Sequence, residues 1–266
     1  MKGKTVVIVA AHREYPMPAD PMYLPLQVGA AGKAAIGMRR DDEGENISEL
    51  NPGFCEMTGL YWAWKNLDAE YIGLAHYRRH FSLRPRARNK WDAVLKEAEI
   101  APEMGKIRAF VPGKRRYYIE TLYSHYANTH DAAKLDETRR IIAQATPEYL
   151  EAFDRTMKQR WGYMFNMMIL ERNLLDDYCR WVFGILFELK NRAGEEHLTA
   201  YQGRYYGRIG EILFNVWLRR QADTGALAPG EIREIPVIHM EKTNWKKKGS
   251  AFLRAKFRGK KYSGSF

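Results

Sequence analysis

The sequence predicts an α/β fold: a sheet with additional helices. Three observations predict it. Short β-branched and apolar runs recur at residues 5–12, 70–75 and 163–170, each the length of a strand buried on both faces. A helical segment separates the first strands, the order expected of strand–helix–strand units. The second half of the chain is dominated by long segments with apolar residues three and four apart, one face of a helix.

In chain order, residues 5–12 (TVVIVAAH) read as the first buried strand. Pro16, Pro18, Pro21 and Pro25 keep the next stretch out of helix, and it reads as a loop. Ala34–Met38 reads as a second short strand, followed by the polar, turn-rich RRDDEGENISELN. Asn51 as cap and Pro52 at the first helical position open a helix that runs to Leu67. Glu70–Ala75 is a short strand ending in HYRRHF. Residues 89–99 and 117–145 carry helical spacing, with Tyr118, Leu122 and Tyr126 four apart. Pro147 opens a helix to Lys158, Tyr163–Leu170 is a strand, and Asn173–Arg192 and Tyr201–Gln221 are long helices. Ile232–His239 is the last strand. With no repeat and no linker, residues 1–240 read as one domain and 241–266 as a tail.

The composition is 45% hydrophobic and 28% charged, which excludes a disordered or fibrous chain. Cys55 and Cys179 are too few for a disulfide framework or a cysteine zinc site, so a reduced, cytoplasmic chain with two inert buried thiols is expected. The longest apolar runs, Val6–Ala11 and Trp181–Phe187, fall well short of the roughly 20 residues a bilayer span needs. The net charge of +11 is uneven. Nine basic residues against Glu241 give residues 241–266 a charge of +8, leaving 34 basic against 31 acidic, or +3, in residues 1–240. A nucleic-acid-binding module, the rival reading of so basic a chain, spreads its charge over a folded face, and no RNA-recognition or helix-turn-helix signature is present.

No phosphate-loop, dinucleotide or serine-hydrolase motif occurs. His76 and His80 are four apart, but arginines lie between them and the run follows a strand, so zinc is not expected there. Ligands of open α/β sheets sit at the carboxyl ends of strands. There the run IGLAHYRR places His76, Arg78 and Arg79, and the planar guanidinium suits a diphosphate. The same arginines can also be a solvated edge paired with Asp42. Asn46 and Ser48, in the polar loop Asp42–Asn51, can hydrogen-bond a ribose or sugar hydroxyl or simply cap a turn. Asn166 offers donor and acceptor together, to sugar hydroxyls or to a strand-edge turn. Tyr61, Trp62 and Trp64 read as core, and His125 and His130, five apart, as structural.

Three blocks together resemble a bacterial family of capsular and exopolysaccharide biosynthesis glycosyltransferases, formerly a domain of unknown function. The first is D-x-x-G-x-N-I-S with N and C-E-[LM]-T-x-x-Y-W-x-W-K-N, here Asp42, Gly44, Asn46, Ile47, Ser48, Asn51, Cys55, Glu56, Thr58, Tyr61, Trp62, Trp64, Lys65 and Asn66. The second is Y-I-G-L-x-H-Y-R-R-x-F, here Tyr71–Phe81. The third is Asn166-Met167, a helix with Tyr178, Cys179, Trp181 and Phe183, then R-x-x-G-x-x-x-E at Arg204, Gly207 and Glu211. The resemblance covers residues 6–220; Met57 and His80 stand where leucine and tyrosine are usual.

The resemblance implies a GT-A-like (Rossmann-like) sheet that binds a nucleotide-sugar, most simply a UDP-hexose. Its sugar goes to a glycan or lipid-linked acceptor in surface polysaccharide biosynthesis. The D-x-D motif that usually holds Mn or Mg in such enzymes is missing; Asp41-Asp42 and Asp176-Asp177 are adjacent pairs, and HYRR fills the slot. A divalent metal stays possible on the family's account. Arg78 and Arg79 are expected to meet the diphosphate charge, with His76 beside them and with His12, Asn46, Ser48 and Asn166 completing the donor-binding set. Glu211 is the first candidate base, with Glu56 and Asp42 as alternatives; an ion pair to Arg204 or Arg208 is its other reading. The tail, WKKKGSAFLRAKFRGKKY, interleaves aromatic and basic residues, which suits an anionic membrane surface and a peripheral location at the inner face of the plasma membrane.

Overall fold

The computed structural model describes residues 3–193 and 198–241; residues 242–266, and with them the expected membrane-binding tail, lie outside the described residues. β1 (Gly3–Ala11) is apolar and buried from Val7 to Ala11. β2 (Tyr23–Gln27) forms inside the proline-rich stretch expected to be loop. Pro25 is tolerated because β3 (Arg39–Arg40) pairs with β2 only from Leu26 onward, so the missing N–H faces an unpaired stretch. The expected strand at Ala34–Met38 is absent. That segment instead wraps the Gln27 side chain, whose Nε2 donates to the Ala34 carbonyl and whose Oε1 accepts from the Ile36 N–H.

The helix expected from Asn51 to Leu67 is broken in two, α1 (Asn51–Phe54) and α2 (Met57–Asn66). Cys55 takes a left-handed φ of 54° between them. Asn51 is not a cap but the first helical residue; its amide spans the break, donating to Cys55 O at 2.7 Å and Thr58 Oγ1 at 3.0 Å.

β4 (Ala69–His76) turns tightly into β5 (Arg79–Phe81), a strand the sequence did not signal. Residues 89–99 are mostly turns, with helix only at α3 (Glu97–Ile100). β6 (Ala109–Pro112) and β7 (Arg115–Arg116) follow, also unexpected. The helix expected over 117–145 is two, α4 (Leu122–Thr129) and α5 (Ala132–Ala145), each with its own cap, Thr121 and Asp131. α6 (Leu150–Lys158) precedes β8 (Trp161–Gly162) and β9 (Met168–Glu171). β9 starts late because Phe165 and Asn166 have φ of 75° and 52°, outside the extended region. α7 (Arg172–Ala193) and α8 (Tyr205–Asp223) are the long helices. Pro236 divides the last strand into β10 (Ile232–Ile235) and β11 (Val237–His239).

The main sheet runs β10-β6-β9-β4-β1-β2-β3. β4, β1, β2 and β3 are parallel, as are β10 and β6, while β9 lies antiparallel between β4 and β6. β5 pairs with β4 and carries β11, and β7 and β8 form a separate two-stranded ribbon. Alternating residues of the central strands feed two cores. Ile8, Ile72, Leu74 and Met168 face α2, α7 and α8; Val7, Val9, Tyr71 and Phe110 face Val94, Leu95 and Ile100. Gly73 sits where β4 meets β9, and a Cβ there would lie 2.7 Å from the Met168 carbonyl oxygen.

Candidate active site

The carboxyl ends of β1 and β4 open into one cleft of about 1240 Å³. The end of β1 contributes His12, and the β4–β5 turn contributes His76, Tyr77, Arg78 and Arg79. The break between α1 and α2 contributes Cys55 and Glu56, and the start of α8 contributes Arg204, Gly207, Arg208 and Glu211. β7 and the following loop supply Lys114 through Ile119, and α4 supplies His125 and Tyr126. Gly207 allows a close approach here. A Cβ there would lie 3.1 Å from both the Phe54 carbonyl oxygen and the Cys55 Cβ.

The centre is a chain of contacts that locks three elements together. His76 Nε2 lies 2.6 Å from the Phe165 carbonyl oxygen, so that nitrogen carries the proton. It also lies 3.9 Å from Glu56 Oε1. Asn166 Nδ2 donates to the same Glu56 oxygen at 2.8 Å and to Gly207 O at 3.1 Å. The left-handed backbone at Phe165 and Asn166 is what aims both groups. Burial holds the His76 imidazole below its ordinary pKa in spite of Glu56. Burial also opposes the Glu56 charge, but His76, the Asn166 amide and Arg208 outweigh it and depress that carboxyl. Burial and the neighbouring arginines likewise lower His12.

Cations dominate the walls: Lys33, Arg78, Arg79, Lys114, Arg115, Arg116, Arg204 and Arg208 against Glu56 and Glu211. Glu211 is 4% exposed and accepts from Arg208 Nη1 at 2.9 Å. Arg204 instead donates to Cys55 Sγ at 3.1 Å, and burial pushes that thiol up to about 11, so it stays protonated. Arg78 binds Glu241 at 3.2 Å, rather than Asp42. Arg79 is different. Its guanidinium lies 4.6 Å from the centre of the Phe165 ring, its buried Nε has no hydrogen-bond partner, and among the described residues no carboxylate pairs with it.

The cleft gathers His12, Glu56, His76, Arg78, Arg79 and Glu211 of the expected site residues, and Asn166 supports Glu56 from behind. Asp42, Asn46 and Ser48 do not line it. Asp42 points outward to Arg40, at 2.6 Å, and this ion pair holds its carboxyl below the usual range. Asn46 closes a turn onto Ser48, and the Ser48 hydroxyl donates to Asp41. The working aspartate of that block is Asp41, fully buried and accepting from the Gly29 and Ala30 N–H groups, Ser48 Oγ and Thr58 Oγ1. Asp41→Ala leaves four donors without their acceptor, and a loss of about 2 kcal/mol in urea unfolding is expected.

Sequence reasoning missed the β7 wall. Its signal was present in Lys114-Arg115-Arg116-Tyr117-Tyr118, the same mixture of basic and aromatic residues as HYRR. The cleft carboxylates do not fit a divalent metal: Glu211 is paired with Arg208 and Glu56 with Asn166, and among the described residues no three His, Cys, Asp or Glu side chains converge. No described helix is long and apolar enough to cross a membrane.

His80 lies under this site, fully buried between the Tyr23 and Trp91 rings, and burial pushes its imidazole down to about 4. The unfolded chain takes up that proton near its ordinary value of 6.5, so stability falls as pH drops below 6.5. His80→Phe removes this loss. Between pH 7 and pH 5 the variant should lose about 2 kcal/mol less than the parent in denaturant titrations.

Residues 6–222 match the family described as Domain of unknown function (DUF4422). The apo structure of the WbbM bifunctional glycosyltransferase superposes with a TM-score of 0.82 at 26% identity, over 90% of this chain and 46% of that one. The present chain thus spans just under half the length of that protein. No curated protein matches. The parallel strands β4, β1, β2 and β3, the antiparallel β9 and this superposition make the fold GT-A-like. The sequence blocks that build the cleft all fall inside the matched residues, and the chain belongs to the DUF4422 family.

Proposed function

We propose that this protein is a glycosyltransferase that moves a hexose from a nucleotide-sugar, UDP-linked in the simplest case, to a glycan or lipid-linked acceptor of a surface polysaccharide. The observation that carries the reading is the half-buried Arg79, its buried Nε without a hydrogen-bond partner, at the carboxyl end of the central strands, inside a cleft where cations outnumber carboxylates eight to two. A diphosphate supplies the charge that arginine lacks. The likeness to a bifunctional glycosyltransferase supports the same reading.

In the reaction, the acceptor hydroxyl gives its proton to the Glu211 carboxylate as its oxygen bonds to the anomeric carbon. The bond from that carbon to the phosphate oxygen breaks, and its electron pair leaves with the nucleoside diphosphate. Arg78 and Arg79 stabilise the charge that builds there, the task a metal performs in related chemistry. His76, fixed by Phe165, stands 3.9 Å from Glu56 at the end of the strand. The basic tail would keep the enzyme at an anionic membrane face where lipid-linked acceptors lie.

The test is a panel of UDP-, GDP- and TDP-sugars incubated with the purified full chain, with and without EDTA. Release of one nucleoside diphosphate, undiminished by EDTA, is the expected result. No release from any donor overturns the reading. Loss of release in EDTA with recovery in manganese removes the arginines from the metal's role.

A further inference from the structure

Tyr118 stands at the cleft with 76% of its surface exposed, the most open of the chain's exposed large apolar and aromatic side chains among the described residues. Its backbone is in the left-handed region, φ 57°. The Ile119 N–H bonds back to the Tyr117 carbonyl at 2.6 Å, so Tyr118 is the middle residue of a three-residue γ-turn with positive φ, a rare and strained form. The turn is pinned from both sides. The Tyr117 N–H donates to Arg160 O at 2.8 Å, and Arg160 Nη1 donates to Tyr118 O at 3.1 Å. Downstream, Thr121 caps α4. A ring this exposed returns little packing for the strain. Strain of this kind persists where the geometry serves a ligand.

We propose that Tyr118 is the stacking platform for the acceptor, a pyranose whose C–H face lies on the phenol ring. This rests on the glycosyltransferase reading and adds the acceptor's place within the cleft. Three observations separate this place from the nucleotide's. The diphosphate arginines Arg78 and Arg79 lie at the ends of the main sheet, whereas Tyr118 follows the β7–β8 ribbon outside it. Tyr117 packs on His125, with ring centres 4.4 Å apart, and both line the same cleft as Arg208 and its partner Glu211. That wall therefore opens onto the same cleft as the carboxylate that takes the acceptor's proton. The cleft is also larger than one nucleotide-sugar needs, at about 1240 Å³ against the several hundred typical of a small-ligand site.

The test uses the full chain saturated with UDP and, as acceptor probes, methyl α- and β-hexopyranosides, read by saturation-transfer NMR. Saturation should reach the pyranoside C–H protons in the parent and in Tyr118→Phe, which keeps the ring. In Tyr118→Ala it should fall about tenfold while UDP affinity stays within twofold. Undiminished pyranoside signal in Tyr118→Ala overturns the proposal, as does the lack of signal from every pyranoside with the parent. An equal loss of UDP binding in Tyr118→Ala also overturns it and assigns the ring to the nucleotide. Failure of UDP, GDP and TDP to bind the parent chain is a separate result, which strikes the glycosyltransferase reading itself.

Discussion

Glu211→Gln is expected to lower kcat about a thousandfold while leaving UDP affinity unchanged. Gln keeps the shape of the side chain and an oxygen that can still accept from Arg208 Nη1, so the 2.9 Å contact and the start of α8 survive. What disappears is the carboxylate proposed to receive the acceptor's proton, a contribution of about a hundred- to ten-thousandfold when a positioned base is lost. Single-turnover transfer and UDP titration by calorimetry separate the two effects. Full turnover in a folded Glu211→Gln variant would remove Glu211 from the chemistry and turn attention to Glu56, the other cleft carboxylate.

Arg79→Met should weaken UDP binding about a hundredfold, and it should also make the unliganded protein more stable. The two signs come from one fact. The half-buried guanidinium lies against Phe165 with its buried Nε unpartnered, and partial burial and Arg78 pull its pKa below the ordinary value. Removing a half-buried charge that has no ion-pair partner relieves part of a desolvation cost, and an apolar side chain of similar length fills the space, for a gain of up to about 1 kcal/mol. With diphosphate bound, the same charge is compensated, and its loss is worth about 2–5 kcal/mol. Arg79→Lys should recover little affinity, because a point charge cannot reproduce the planar fork. Melting curves with and without UDP test both signs; a destabilised Arg79→Met that still binds UDP would show Arg79 to be a structural cation.

How far the sequence could be read depended on whether neighbouring residues have contrasting chemistry. The run IGLAHYRR changes abruptly from apolar to charged, so both the end of β4 and its cleft-facing groups were visible in it. Asp41 and Asp42 are chemically identical neighbours that point to opposite sides, one into the core and one to Arg40, and only the fold tells them apart. The break at Cys55 and the turn at Phe165–Asn166 use left-handed backbone at residues other than glycine, which no composition rule marks. β2 was hidden by a proline that is tolerable only because the side it faces is unpaired there, and β6 is four residues long, too short for a periodic signal. Glu211 and its arginine partner were legible as a three-residue spacing, but not the way α8 brings them against the ends of the strands.

β11 has a mechanical consequence. It is the last described strand, and it is held by the arginine hairpin itself, with His239 opposite Arg79 and the Met240 N–H on the Arg78 carbonyl. Tension applied from the C-terminal side reaches this short antiparallel ladder first and opens it one pair at a time, like a zipper. Tension applied at β1 must shear a long ladder in the middle of the sheet, where many bonds share the load. A protein anchored to a surface through its C-terminus therefore transmits every pull to the Arg78–Arg79 turn of the cleft, and one anchored through its N-terminus leaves that turn at rest. Single-molecule or biosensor work on donor binding is best tethered at the N-terminal end.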